Sequence, residues 1–188
     1  MVQDLKMSQG SSNVTLDLSA LGDAANQSIS GEKTEKPTLE TPIVATTTGC
    51  TLKVITNDMK SNRDDPSKKY YNTSFTVTTK FTHNGEEVTS SDRYGGLRFY
   101  PVMNPDGTPA LSANGQPVLE RFWAADGSKD TASAFAKLLY KVQQHDANVK
   151  TFADFFQFME LPRQVMLKTE FVSFAGKTTK KQVIQNFI

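Results

Sequence analysis

The 188-residue sequence predicts a mainly β fold, a small antiparallel sheet or barrel carrying two short helices. Three observations predict it. Tyr71, Thr73, Phe75, Val77, Thr79 and Phe81 recur at every second position, with Asn72, Ser74, Thr76, Thr78 and Lys80 between them. Successive strand side chains point to opposite faces, so this alternation describes a strand with one buried and one wetted face. His83-Asn84-Gly85-Glu86 then supplies the Asn-Gly pair that a type I′ hairpin turn requires. Helical spacing appears only after residue 127, ahead of one last strand pair, which suits an interrupted antiparallel sheet and not a βαβ repeat.

Residues 1–48 read as a polar, flexible N-terminal arm, rich in Ser, Thr, Gly, Glu and Lys with almost no aromatics. Such a composition cannot bury enough apolar surface to offset its ordering entropy. Val14-Thr15-Leu16-Asp17-Leu18-Ser19-Ala20-Leu21 is its one amphipathic patch, suited to docking on a neighbouring subunit or a partner. The domain proper is expected over 49–188. Cys50, Leu52 and Val54 alternate in a first strand ending near Asn57, followed by a polar loop over Asp58–Lys69. The hairpin returns through Glu87–Thr89, and another strand follows at Gly96–Tyr100. Gly95-Gly96 reads as a bulge or a close backbone approach.

Asn104-Pro105-Asp106-Gly107 and Ala113-Asn114-Gly115 are turns that make 101–118 a protruding loop or small hairpin, with a strand over 117–123 after it. Ser128 or Asp130 can cap a first helix whose apolar face is Ala132, Phe135, Leu138, Leu139 and Val142. Thr151 opens a second, with Asp154 at the capping-box distance and Phe152, Phe155, Phe156 and Met159 as its buried face. It stops before Pro162. Gln164–Phe174 and Thr178–Ile188 close the chain as two strands around Ala175-Gly176. A helix between the third and fourth strands is the arrangement of a five-stranded Greek-key barrel of the OB type.

Composition narrows the function. Net charge is +1, yet residues 1–49 carry −3 and residues 50–188 carry +4, which permits an anionic partner for the body. A single cysteine, Cys50, excludes an intramolecular disulfide. No apolar run approaches the ~20 residues that span a bilayer, and the N-terminus lacks a signal peptide's apolar core. The expected compartment is cytoplasmic, the host's cytoplasm if the protein is phage-encoded, with no membrane partner. His83, His145 and Cys50 are too scattered for zinc, and no metal or cofactor is expected. Neither G-x-S-x-G nor a phosphate-binding glycine loop is present, so the reading is not an enzyme.

What remains is aromatic plus basic. Single-strand binders combine a positive groove for phosphates with ring faces on which bases stack. Tyr70, Tyr71, Tyr94, Phe99, Tyr100 and Trp123 are the candidate stacking residues. Lys60, Arg63, Lys68, Lys69, Lys80, Arg93, Arg98 and Arg121 are the candidate phosphate contacts. Against any one of these rings stands the ordinary burial ranking, by which aromatics at strand spacing are core residues more often than not.

From Gly49 onward the layout resembles phage-type single-stranded DNA-binding proteins with an OB-like fold. CTLKVITNDMKSN, YYNTSFTVTTKF, GGLRFYP and the late FADFFQFMELPRQVMLKTEFVSFAGK carry the resemblance. It implies a DNA replication role, binding of single-stranded DNA with little sequence preference, and no catalysis. It also implies an acidic C-terminal tail, which this chain lacks: it ends in Gln185-Asn186-Phe187-Ile188, and its acidic segment is at the other end. The N-terminal arm is then the candidate route to homo-oligomers or to a replication or recombination partner. The alternative is a phage virion or assembly protein, a β-rich body with an N-terminal docking arm.

Overall fold

The computed structural model describes residues 36–63 and 65–188. Seven antiparallel strands form one sheet: β1 (Ile43–Ser61), β2 (Lys69–His83), β3 (Glu86–Tyr94), β4 (Arg98–Pro101), β5 (Leu119–Trp123), β6 (Gln164–Phe174) and β7 (Lys177–Phe187). Helices α1 (Ala134–His145) and α2 (Phe152–Glu160) lie between β5 and β6 in the chain. The strand order is β5-β4-β2-β1-β6-β7, with β3 also pairing β2.

β1 is long because it serves two neighbours. Its first residues pair with β6, from Ile43↔Leu167 to Thr46↔Gln164, and from Thr46 onward it pairs with β2. Irregularities at Thr47/Gly49 and Ile55/Met59 interrupt that second ladder and let the strand bend. β2 shares its other edge between β3, which takes Phe75–His83, and β4, which takes Tyr71 and Asn72. The β2–β3 turn has the backbone its sequence predicts, with positive φ at both Asn84 (53°) and Gly85 (83°).

The expected start of the domain at Gly49 needs correction, because β1 opens at Ile43 and Leu39, Ala45 and Thr47 are buried. The Val14–Leu21 patch lies before Lys36, outside the described residues.

Alternation along β2 decides the core. Tyr71, Thr73, Phe75, Val77, Thr79 and Phe81 are all buried, while the residues between them are partly or fully exposed. Phe75, wholly buried, meets Phe135 edge-on at 5.3 Å and Phe155 at 5.4 Å. The helices thus cover the inner face of the sheet.

Thr151 caps α2 with the reciprocal pair of a capping box: its hydroxyl accepts from Asp154 N–H, and Asp154 accepts from Thr151 N–H. Phe158, not Phe156, completes that helix's buried face. The cap of α1 is Ser133, five residues beyond Ser128 and three beyond Asp130, and Ala132 lies outside the helix. Gly96 explains the shift. A Cβ there would fall on the Ser133 side chain, and the Gly95 carbonyl accepts from Phe135 N–H, so the close approach is between the glycine pair and the start of α1.

Two antiparallel steps separate β3 from β1, and two separate β7 from β1, so β3 and β7 run parallel. Among the described residues no backbone ladder joins them, and the sheet is not closed. Residues 36–39 cross this gap instead. Lys36 Nζ donates to Asp92 Oδ1 (2.7 Å) and to the Ser91 carbonyl (2.9 Å) on β3. From β7, Lys180 Nζ and Gln182 Nε2 donate to the carbonyls of Lys36 and Pro37 at 2.9 and 2.7 Å. Leu39 N–H donates to Thr169 Oγ1 on β6 (2.8 Å).

Candidate nucleic-acid interface

The register that buries odd-numbered residues of β2 turns the even-numbered ones outward, where their partners on β1, β3 and β4 join them. Asn72 stands opposite Arg98, Ser74 opposite Lys53, Thr76 between Thr51 and Arg93, and Thr78 opposite Ser91. Thr78 and Ser91 share a hydroxyl–hydroxyl bond of 2.9 Å. None of these residues is an acid. The first carboxylate on this face is Glu87, 3.3 Å from Lys80.

At the β4 end the face becomes aromatic. Arg98 faces Trp123 of β5 across one ladder and Asn72 of β2 across the other, so its guanidinium has a neighbouring strand on each side. Its Cζ lies 4.6 Å from the Tyr70 ring centroid and 4.6 Å from that of Trp123. Arg121 sits over Tyr100 at 4.7 Å, and the Tyr70 and Tyr100 rings approach to 5.7 Å. Asn62 Nδ2 donates to the Tyr100 hydroxyl (3.0 Å) from the β1–β2 loop, and Lys60 pairs with Tyr70 across β1 and β2. Tyr70, Arg98, Arg121 and Trp123 are all half-buried, so their rings and cations remain partly open to solvent.

The expected residues therefore divide. Tyr70, Tyr100, Trp123, Arg98, Arg121 and Lys60 come together, and Arg63, Lys68 and Lys69 flank them in the β1–β2 loop and at the start of β2. Lys68 shares its charge with Asp65 at 3.1 Å, and the Ser67 and Lys68 bonds hold that carboxyl below its ordinary range. Lys80 and Arg93 share the outer face but not the cluster. Lys80 is ten residues along β2 from Tyr70, about 33 Å at the rise of a strand.

Tyr71, Tyr94 and Phe99 are in the core, each no more than 5% exposed, and the reading of them as stacking residues is corrected on that ground. Tyr71 and Phe99 pack together at 6.0 Å on the inner face. Tyr94 accepts a hydrogen bond from Ile184 N–H (3.1 Å). Burial pushes its phenol well above the ordinary value, that bond opposes the rise, and Asp92 and Glu170 add to it. A ring so enclosed has no face to offer a base. Tyr100 is a mixed case: its ring belongs to the outer cluster, yet it is only 4% exposed beneath Arg121 and Tyr70.

Lys53, exposed opposite Ser74, is a basic residue of the outer face that the sequence reading omits. Its signal was its place between Leu52 and Val54 on the wet side of the first alternating strand. Among the described residues no helix is long and apolar enough to cross a membrane, and no group of three or more His, Cys, Asp or Glu is placed to hold a metal ion. No protein family, curated protein or solved structure matches this chain.

Proposed function

We propose that this chain is an OB-like, non-enzymatic protein that binds single-stranded DNA with little sequence preference, phage-encoded and acting in DNA replication. The strand order β3-β2-β1-β6-β7, with parallel β3 and β7 facing each other and helices preceding β6, supports the OB-like reading. On that reading β4 and β5 are an insertion that widens the β2 face.

The observation that carries the binding proposal is Arg98 between Tyr70 and Trp123, at the head of an outer face of hydroxyls, amides and cations. Rings there stack bases of any identity, and the cations meet phosphates. Fluorescence anisotropy of labelled dT12 with the full chain tests it. Binding is expected at 50 mM salt, with about a hundredfold loss at 200 mM if about five phosphates are neutralised. No binding at low salt, or an affinity indifferent to salt, overturns the proposal.

A second reading, a virion or assembly protein, draws on the β4–β5 excursion. There Val102, Leu111 and Val118 are exposed on a segment braced by its own backbone bonds, such as Val102 N–H to the Val118 carbonyl (2.9 Å). Stoichiometric presence in purified particles would favour it over the first.

A further inference from the structure

We infer that the gap between Tyr70 and Trp123 is a subsite for one unstacked nucleobase, and that the Arg98 guanidinium occupies it until the base enters. The inference rests on the single-strand-binding reading above and goes further, in naming the subsite and what vacates it.

Geometry carries it. Tyr70 comes from β2 and Trp123 from β5, the two strands that flank β4, so the rings stand on opposite sides of Arg98. A guanidinium is a flat, delocalised cation that stacks on aromatic faces, and it lies over both rings at the same 4.6 Å. Each such contact is weak at a partly exposed site, and a base–ring stack is as strong or stronger. Exchange is therefore favourable. The displaced guanidinium, on its long stem, is left within reach of the phosphate that follows the inserted base, where it gains a bidentate partner. Arg98 thus has two positions, one closing the slot and one holding the strand.

Trp123 is the chain's single tryptophan, so its fluorescence reports this slot alone. The experiment titrates the full chain with dT12 and with an abasic 12-mer of the same charge, following anisotropy and Trp123 emission together. It is repeated with Arg98→Ala after circular dichroism has confirmed the fold. dT12 is expected to quench Trp123 while the abasic strand, at equal saturation, leaves it nearly unchanged. In Arg98→Ala, quenching by dT12 is expected to persist, because the slot is then open from the outset, and the salt slope of dT12 binding is expected to fall by about one, the phosphate that the displaced guanidinium no longer meets. Should the variant fail to fold, the contrast between the two probes on the wild-type chain decides alone. Salt-sensitive binding of dT12 without quenching overturns the subsite and leaves the binding proposal standing. Equal quenching by both probes, or its loss in folded Arg98→Ala, also overturns the subsite. Absence of binding by either probe overturns both.

Discussion

Lys36 Nζ lies 2.7 Å from Asp92 Oδ1, although 56 residues of chain separate them. Asp92 is 6% exposed and Lys36 about a third, so the pair is partly screened by solvent. Asp92 also accepts from Ser90 Oγ (2.6 Å) and Gln182 N–H (3.2 Å), which places one carboxylate between β3, β7 and the crossing segment.

Lys36→Met is expected to destabilise the protein by about 1–3 kcal/mol, because it leaves a buried carboxylate short of its charged donor. Urea denaturation of the full chain measures this. Adding Asp92→Asn should recover part of the loss. Two additive losses would show that the residues do not act as a pair.

Deleting residues 1–47 is expected to abolish cooperative unfolding or to lower the midpoint severely. The deletion removes the Ile43–Thr46 ladder to β6 and the buried Leu39, Ala45 and Thr47. A deletion that stops before Lys36 keeps every contact described above. Thermal melts of both truncations make the comparison, and equal stability of the two would refute it.

The two faces of the β2–β4 region should separate stability from binding. Phe99→Ala is expected to cost about 3–5 kcal/mol through a cavity beside Tyr71 and Phe122. Tyr70→Ala should cost about 1 kcal/mol and weaken dT12 binding several-fold. Equal stability losses would mean that Tyr70 is a core residue in practice.

Cys50 should resist thiol reagents in the native state. Burial pushes its thiol up to about 11, with Glu160 adding to the rise, from an ordinary 9.0. The folded state thereby disfavours the thiolate, so its contribution to stability is present below pH 9 and fades as pH climbs toward 11. At pH 8 the native thiolate fraction is roughly a hundredfold below that of the unfolded chain. Native and urea-unfolded rates with a disulfide reagent should differ on that scale, and equal rates would contradict the burial.

Much of this arrangement was legible. The run from Tyr71 to Phe81 announced β2 because its inward residues are large or β-branched and its outward ones polar, and Asn84-Gly85 announced the turn. The same alternation already placed Tyr71 inside and Tyr70 outside, and separated Phe99 from Arg98. Neighbouring aromatics therefore lie on opposite faces and do not form one stacking set. The opening of β1 stayed hidden for another reason. Its inward residues are Ala45 and Thr47, small or hydroxylated: Ala45 is buried through its pairing with Val165 of β6, and Thr47 through its pairing with Thr79 of β2 and its bonds to the Arg163 backbone, not through apolar bulk. Local sequence carries no sign of a partner 124 residues away. The Tyr70–Arg98–Trp123 grouping is likewise a product of strand order, since three separate strands contribute one residue each.

β1 and β6 meet across that whole length, with Ile43 opposite Leu167. During synthesis at about 5–20 residues per second, β1 therefore waits roughly 6–25 s for β6 to be made. The β1–β2–β3 meander can pair as it emerges, but the β1 edge that takes β6 stays open throughout that interval. An open edge in a nascent chain invites pairing with another copy on the same message. The vulnerable period of this protein's life thus falls on the ribosome, and a stop codon anywhere before Gln164 would make it permanent.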